Sequence, residues 1–192
     1  MIETERLLLE PLDVSRLEEF VALTRDGDTM RYWSPRGAFS RDMAERNFAA
    51  SLARLREYGF GRRWIVEKES GAGLGFTETK YFGEGCDDVS PDEVEIGWML
   101  APPARDHGYA TEAGSAVRDE AFVRLGLDSI VAMADSPLPH NPSAMVVEAL
   151  AALNGGGEAS CPKDAERPQR VPPTVLAGLF HLDEERSGNA LL

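Results

Sequence analysis

Val94-Glu95-Ile96-Gly97-Trp98-Met99-Leu100-Ala101-Pro102-Pro103-Ala104-Arg105-Asp106-His107-Gly108-Tyr109-Ala110-Thr111-Glu112-Ala113 reads as a strand, a turn and the opening of a helix. Alternation over 94–100 places Val94, Ile96, Trp98 and Leu100 on one face and Glu95, Gly97 and Met99 on the other. Pro102-Pro103 stops the strand. Beyond the turn, Ala113, Val117, Ala121 and Leu125 recur at helical spacing and Gly126 closes the helix. A helix start offers unpaired backbone N–H groups and a partial positive charge, which suits a phosphate or pyrophosphate. Gly108 and the small Ala110 let phosphate oxygens approach the backbone, Arg105 adds a permanent charge and Thr111 a hydroxyl. An ordinary strand-to-helix turn has the same local pattern, because a short glycine motif is a weak signal by itself.

Working outward, Thr4 to Leu12 is a first strand, and Asp13 caps a helix carrying Val14, Leu17 and Val21. A loop with Met30-Arg31-Tyr32-Trp33-Ser34-Pro35 follows. Ser40 then caps a longer helix with Ala44, Phe48, Ser51, Leu52 and Leu55 on one stripe, ending near Tyr58-Gly59. Trp64 to Val66 and Leu74 to Phe82 are strands, and with the strand at 94–100 they favour an antiparallel meander. Gly71-x-Gly73-x-Gly75 lies between two strands and reads as a turn, not as a dinucleotide loop. Ser129 to Ala134 is a buried strand, and Asn141-Pro142 opens a fourth helix with Val146, Ala149, Leu150 and Leu153 on its stripe. This alternation implies a parallel crossover and an α/β (α+β) fold class. Asn154 to Pro173 has no period, Thr174 to Leu182 is a closing strand, and the polar tail after Asp183 is expected to fray. The expected organisation is one domain over 1–153, with an atypical segment, 154–192, completing it.

The 192 residues carry 20 basic and 33 acidic side chains, a net charge of −13. That field disfavours nucleic acid and attracts a cationic substrate. Cys86 and Cys161 show no framework spacing, and His107, His140 and His181 are too scattered for a zinc site, so no metal is expected. No apolar run approaches membrane-span length, and Met1 to Arg6 lacks the layout of a signal peptide. A cytoplasmic location is expected, with no membrane partner.

Arg105-x-x-Gly108-x-Ala110 matches the Q/R-x-x-G-x-G/A motif of the GNAT N-acetyltransferase superfamily. Thr4-Glu5-Arg6-Leu7, Met30-Arg31-Tyr32-Trp33, Glu95-Ile96-Gly97-Trp98 and Gly108-Tyr109-Ala110-Thr111-Glu112-Ala113 occur in the order that resembles the RimJ/RimL-like branch, over residues 3–153. The resemblance implies a mixed, mostly antiparallel sheet flanked by about four helices and splayed at the acyl-CoA cleft. Acetyl-CoA is the implied cosubstrate, and the implied reaction moves its acetyl group directly to a primary amine, a peptide N-terminus or a small amine. Main-chain groups of Trp98, Met99 and Leu100 would hold the pantetheine arm, and one N–H there would stabilise charge on the thioester oxygen. Arg105, His107, Gly108, Tyr109, Ala110, Thr111 and Asn141 would complete the cofactor site. Glu95 is the candidate base and Ser143 the candidate donor to the departing thiolate. Glu95 also reads as a solvated-face carboxylate, and Ser143 as a helix-start serine. Tyr32 and Trp33 would touch the acceptor, or else serve as core aromatics. No tyrosine follows Tyr109, where many members place a general acid, and Leu150-Ala151-Ala152 replaces their usual Leu-Gly step. A non-catalytic CoA-binding protein and a transferase acting on small amines or antibiotics are the rival readings. The resemblance leaves room for a homodimer.

Overall fold

The computed structural model describes residues 1–31, 33–34, 36–82, 90–134 and 174–179. Two units divide the chain: Met1–Thr79 with Trp98–Ala113, and Lys80–Gly97 with Gly114–Leu192. The fold is mixed α/β, with seven strands among the described residues.

In the first unit β1 (Ile2–Glu3), β2 (Leu7–Pro11), β3 (Arg63–Glu67) and the start of β4 (Gly73–Phe82) pair antiparallel, with Leu9 opposite Ile65 and Ile65 opposite Gly75. Leu7, Leu9 and Ile65 are fully buried. Asp13 accepts from the Ser15 N–H (2.9 Å) but caps a single 3-10 turn, Val14–Arg16. The helix proper, α1, starts only at Leu17 and runs to Arg25. Val14 is therefore 64% exposed, off the stripe where its spacing had placed it. Asp26 caps a four-residue helix, α2 (Gly27–Met30), inside what reads as a loop. The longer helix α3 (Arg41–Tyr58) is framed as expected: the Ser40 hydroxyl accepts from Met43 N–H, and Gly59, at φ +72°, bonds back to Leu55.

Phe20, Phe48, Phe76, Trp64 and Met99 centre the core, with Phe20 edge-on to Phe48 at 5.3 Å. The buried Arg62 lies over the Phe76 ring and bonds Glu78 and Asn47. Burial pulls its guanidinium below the ordinary value, and Glu78 opposes that.

Met99 is a correction to the strict alternation of the strand. Both faces are covered at the end of β5 (Ser90–Leu100), so Met99 is buried and Trp98 is half-buried. The glycine triplet is a second correction. Only Gly71 sits in the turn, at φ +70°, while Gly73 and Gly75 lie within β4. Gly75 lets β4 come close to Met99, since a Cβ there would stand 2.0 Å from the Met99 carbonyl oxygen.

In the second unit β5 and β6 (Ser129–Ala134) pair parallel through Glu95–Val131 and Ile96–Ala132. The closing strand, β7 (Thr174–Leu179), pairs parallel with all six residues of β6. Helix α4 (Tyr109–Val123) buries Ala113, Val117 and Ala121 of the expected stripe, whereas Leu125 lies beyond the end of the helix and is half-buried, and Gly126 follows at φ +67°.

Candidate functional site

Pro102 to Ala104 form a 3-10 turn after β5, and the chain reaches α4 through Arg105 to Gly108. Asp106 has φ +65°, alone among the described non-glycine residues, and Gly108 has φ +78°. These left-handed positions fold the turn outward, so Asp106, His107 and Gly108 are all exposed. The Gly108 carbonyl accepts from Glu112 N–H at 3.1 Å, which makes Gly108 the residue that opens α4. The N–H groups of Tyr109, Ala110 and Thr111 therefore belong to the first turn, where a helix has no carbonyl of its own to offer. Together with the small Gly108, that donor set fits a pyrophosphate.

Arg105 is half-buried and turned inward. Its Nε donates to the Leu100 carbonyl (3.2 Å) and its Nη2 to the Thr29 hydroxyl (3.0 Å). It pins the end of β5 to α2.

The N-terminal segment meets the same turn. Glu112 Oε1 accepts from the Thr4 hydroxyl (2.6 Å) and the Arg6 backbone N–H (2.8 Å), and Oε2 accepts from Arg6 Nε (2.7 Å). Arg6 Nη1 donates to the His107 carbonyl at 2.9 Å, and its guanidinium lies 4.6 Å over the Tyr109 ring. His107 stacks on that ring, while the Tyr109 hydroxyl donates to Glu67. Roles for Thr4, Arg6, Glu67 and Glu112 were not read from the sequence. The signal for Thr4, Arg6 and Glu112 was present as two separate blocks, Thr4 to Leu7 and Gly108 to Ala113, and nothing local says that the blocks touch; nothing in the sequence singled out Glu67.

The charges follow this geometry. Burial alone would raise the Glu112 carboxyl, but hydrogen bonds from Thr4 and Arg6 hold it below the usual carboxylate range. Glu67 is held low by Ser70 and Tyr109, and the bond to Glu67 raises the Tyr109 phenol. Because the Glu112 value is depressed on folding, its contribution is complete above the unfolded carboxylate pKa. That contribution is lost as pH falls through the folded value. Glu112→Gln is expected to cost about 1–2 kcal/mol at pH 7. It should also flatten the acid limb of stability, as urea unfolding between about pH 3 and pH 7 would show.

The remaining candidates are more dispersed. Met99 is buried, Trp98 is half-buried, and Ala101 N–H bonds the Leu74 carbonyl (2.9 Å) just beyond them. Ala110 and Thr111 are half-buried in the first turn of α4. Glu95 is half-buried in β5, its Oε2 3.5 Å from Lys80 Nζ. Trp33 packs edge-on against Phe76 at 5.4 Å. Tyr32, Asn141 and Ser143 lie outside the described residues, as do His140, the rest of the expected fourth helix and both cysteines. Among the described residues no cluster of His, Cys, Asp or Glu could hold a metal, and no helix is long and apolar enough to cross a membrane.

Known proteins are similar to this chain in sequence and fold. The chain is 27% identical over 168 residues to the uncharacterized N-acetyltransferase YnaD of Bacillus subtilis (strain 168), covering 86% of this chain and 90% of that protein. An Agrobacterium tumefaciens acetyltransferase structure superposes with a TM-score of 0.67 at 27% identity, covering 88% of each chain. A Bacillus anthracis GNAT-family acetyltransferase gives 0.62 at 28% identity, covering 78% of this chain and 81% of its own. The acetyltransferase (GNAT) domain model matches residues 6–150, from the arginine of the N-terminal block to beyond the helix that the turn opens, so this chain belongs to the GNAT acetyltransferase family.

Proposed function

We propose that this acetyltransferase uses acetyl-CoA to acetylate a primary amine by direct transfer, within the RimJ/RimL-like branch and in the cytoplasm. The observation that carries the reading is the start of α4, where an exposed left-handed glycine and three first-turn N–H groups suit the pyrophosphate of the cosubstrate. Bound there, acetyl-CoA supplies an activated acyl thioester. The first turn of α4 binds the phosphates, and a main-chain N–H among Trp98 to Leu100 faces the oxygen on which charge develops. Glu95 takes the proton from the amine, directly or through water, and Ser143 donates to the departing thiolate. Neither cysteine sits in a matched motif position, and transfer proceeds without an acyl-enzyme.

A protein N-terminus is the preferred acceptor. An α-amine has a pKa of about 7.7–8.0 against about 10.4 for lysine, so it needs less help to become a nucleophile. The chain has no tyrosine beyond Tyr109 to assist, and the Tyr109 hydroxyl is engaged by Glu67. The net charge of −13 draws cationic acceptors of either size.

Thiol release should be followed with two libraries, basic peptides with free N-termini and small polyamines or antibiotics. Turnover on the peptides, and none when their N-termini are blocked, is the expected result. Turnover confined to small molecules overturns the peptide preference, and acetyl-CoA binding without turnover on any amine favours the non-catalytic reading.

The Lys80 contact favours a second reading for Glu95, as a structural partner of that ammonium. Glu95→Gln separates the two. As a base, its loss should lower kcat/KM about 100-fold below the amine pKa and much less above it. A uniform drop across the pH profile assigns it to structure.

A further inference from the structure

Arg105 is the arginine of the family motif, yet two of its nitrogens are spent on Leu100 and Thr29. A different guanidinium stands at the mouth of the turn. We propose that Arg6 binds a phosphate of the cosubstrate at the start of α4, a role that rests on the acetyl-CoA reading above.

Three of its neighbours fix the orientation of the group. Glu112 takes Nε, the His107 carbonyl takes Nη1, and the Tyr109 ring lies beneath the plane. Tyr109 is itself held through its hydroxyl by Glu67. The remaining nitrogen, Nη2, has no hydrogen-bond partner among the described residues. It lies 3.4 Å from where a Cβ on Gly108 would stand. The side chain is 44% exposed, so an anion reaches it from solvent. A dianionic phosphate seated on the N–H groups of Tyr109 to Thr111 would meet Nη2 at the edge of that cradle. Glu112 carries one negative charge and also accepts from Thr4 and the Arg6 backbone, so it orients the guanidinium and leaves one N–H face to the ligand. Ordering in advance matters because a long flexible cation loses rotamer freedom on binding, and here that loss has already occurred on folding. Glycine at 108 keeps the space beside Nη2 clear.

The test compares CoA with pantetheine, which keeps the thiol arm and lacks every phosphate. Calorimetric Kd values for both ligands should be measured on the wild type, Arg6→Gln and Arg6→Lys, with thermal melts confirming that each is folded. Arg6→Gln is expected to weaken CoA by about 10- to 100-fold while pantetheine is unchanged, and Arg6→Lys should recover part of the loss. The ratio of the two affinities is insensitive to the fraction of folded protein, so even a destabilised variant discriminates between the outcomes. Unchanged CoA binding by Arg6→Gln overturns the proposal. An equal loss for both ligands overturns it as well, and makes Arg6 a structural residue. A wild type that binds CoA no tighter than pantetheine removes the acetyl-CoA reading itself, and the role of Arg6 with it.

Discussion

Alanine at position 75 is expected to lower stability by about 3 kcal/mol or more, the range of severe backbone and packing conflicts. The added Cβ would stand 2.0 Å from the Met99 carbonyl oxygen and 3.0 Å from Leu100 Cα, and both obstacles are backbone. Neither can move cheaply. Met99 is buried in the core, Leu100 is held by Arg105, and the Ala101 N–H is bonded to Leu74. Gly75 also has φ +144°, which L side chains rarely adopt. Gly59→Ala is the matched control: it too has a positive φ, +72°, but nothing lies within 4 Å of its Cβ position, so it should cost only about 1 kcal/mol. Urea unfolding of both variants tests the collision separately from the backbone strain. Equal losses would mean that β4 does not approach Met99 this closely.

Gly108→Asp should separate stability from binding. Aspartate tolerates the left-handed region better than most residues and is a favoured residue at the position that opens a helix. The melting temperature is therefore expected to stay within a few degrees of the wild type. The new carboxylate would nevertheless stand beside Arg6 Nη2 and across the first-turn N–H groups, where the cosubstrate phosphates are proposed to sit. Like charges juxtaposed at a binding site cost several kcal/mol, so acetyl-CoA affinity should fall by about 100-fold or more by calorimetry. Equal binding by the two proteins would remove the phosphates from this turn.

Elements whose signals are local were legible in the sequence. Ser40 and Gly59 frame α3 because a cap and a left-handed stop act within one turn of the residues they name. Ser129 to Ala134 has the expected bounds, and α4 buries the expected alanines and valine, because each carries its own period. Features that depend on a distant partner were not legible. Alternation could not show that Met99 is covered on its side of the strand, since that depends on α1, α3 and Gly75. The glycine triplet looks like one loop, but two of its members are glycine because of what approaches them from elsewhere in the chain. The site divides in the same way. Gly108 and the helix start were visible as a motif, whereas the inward turn of Arg105 and the approach of Arg6 depend on Thr29, His107 and Glu112.

The bonds from Thr4 and Arg6 to Glu112 span 108 and 106 positions of the sequence. Synthesis proceeds from the N-terminus, so β2 emerges long before the residue that its neighbours Thr4 and Arg6 must meet. Such a contact closes a very long loop, and native pairings of high sequence separation form slowly. The turn that opens α4 thus acquires its final geometry only when both ends of that loop have arrived and docked. A nascent or partly folded chain, even one with β3 and α3 already in place, lacks the bonds that Thr4 and Arg6 make to Glu112. If the proposed cosubstrate site is this turn, competence to bind becomes a late event in the life of each molecule, and one that reports on whether Thr4 and Arg6 have docked.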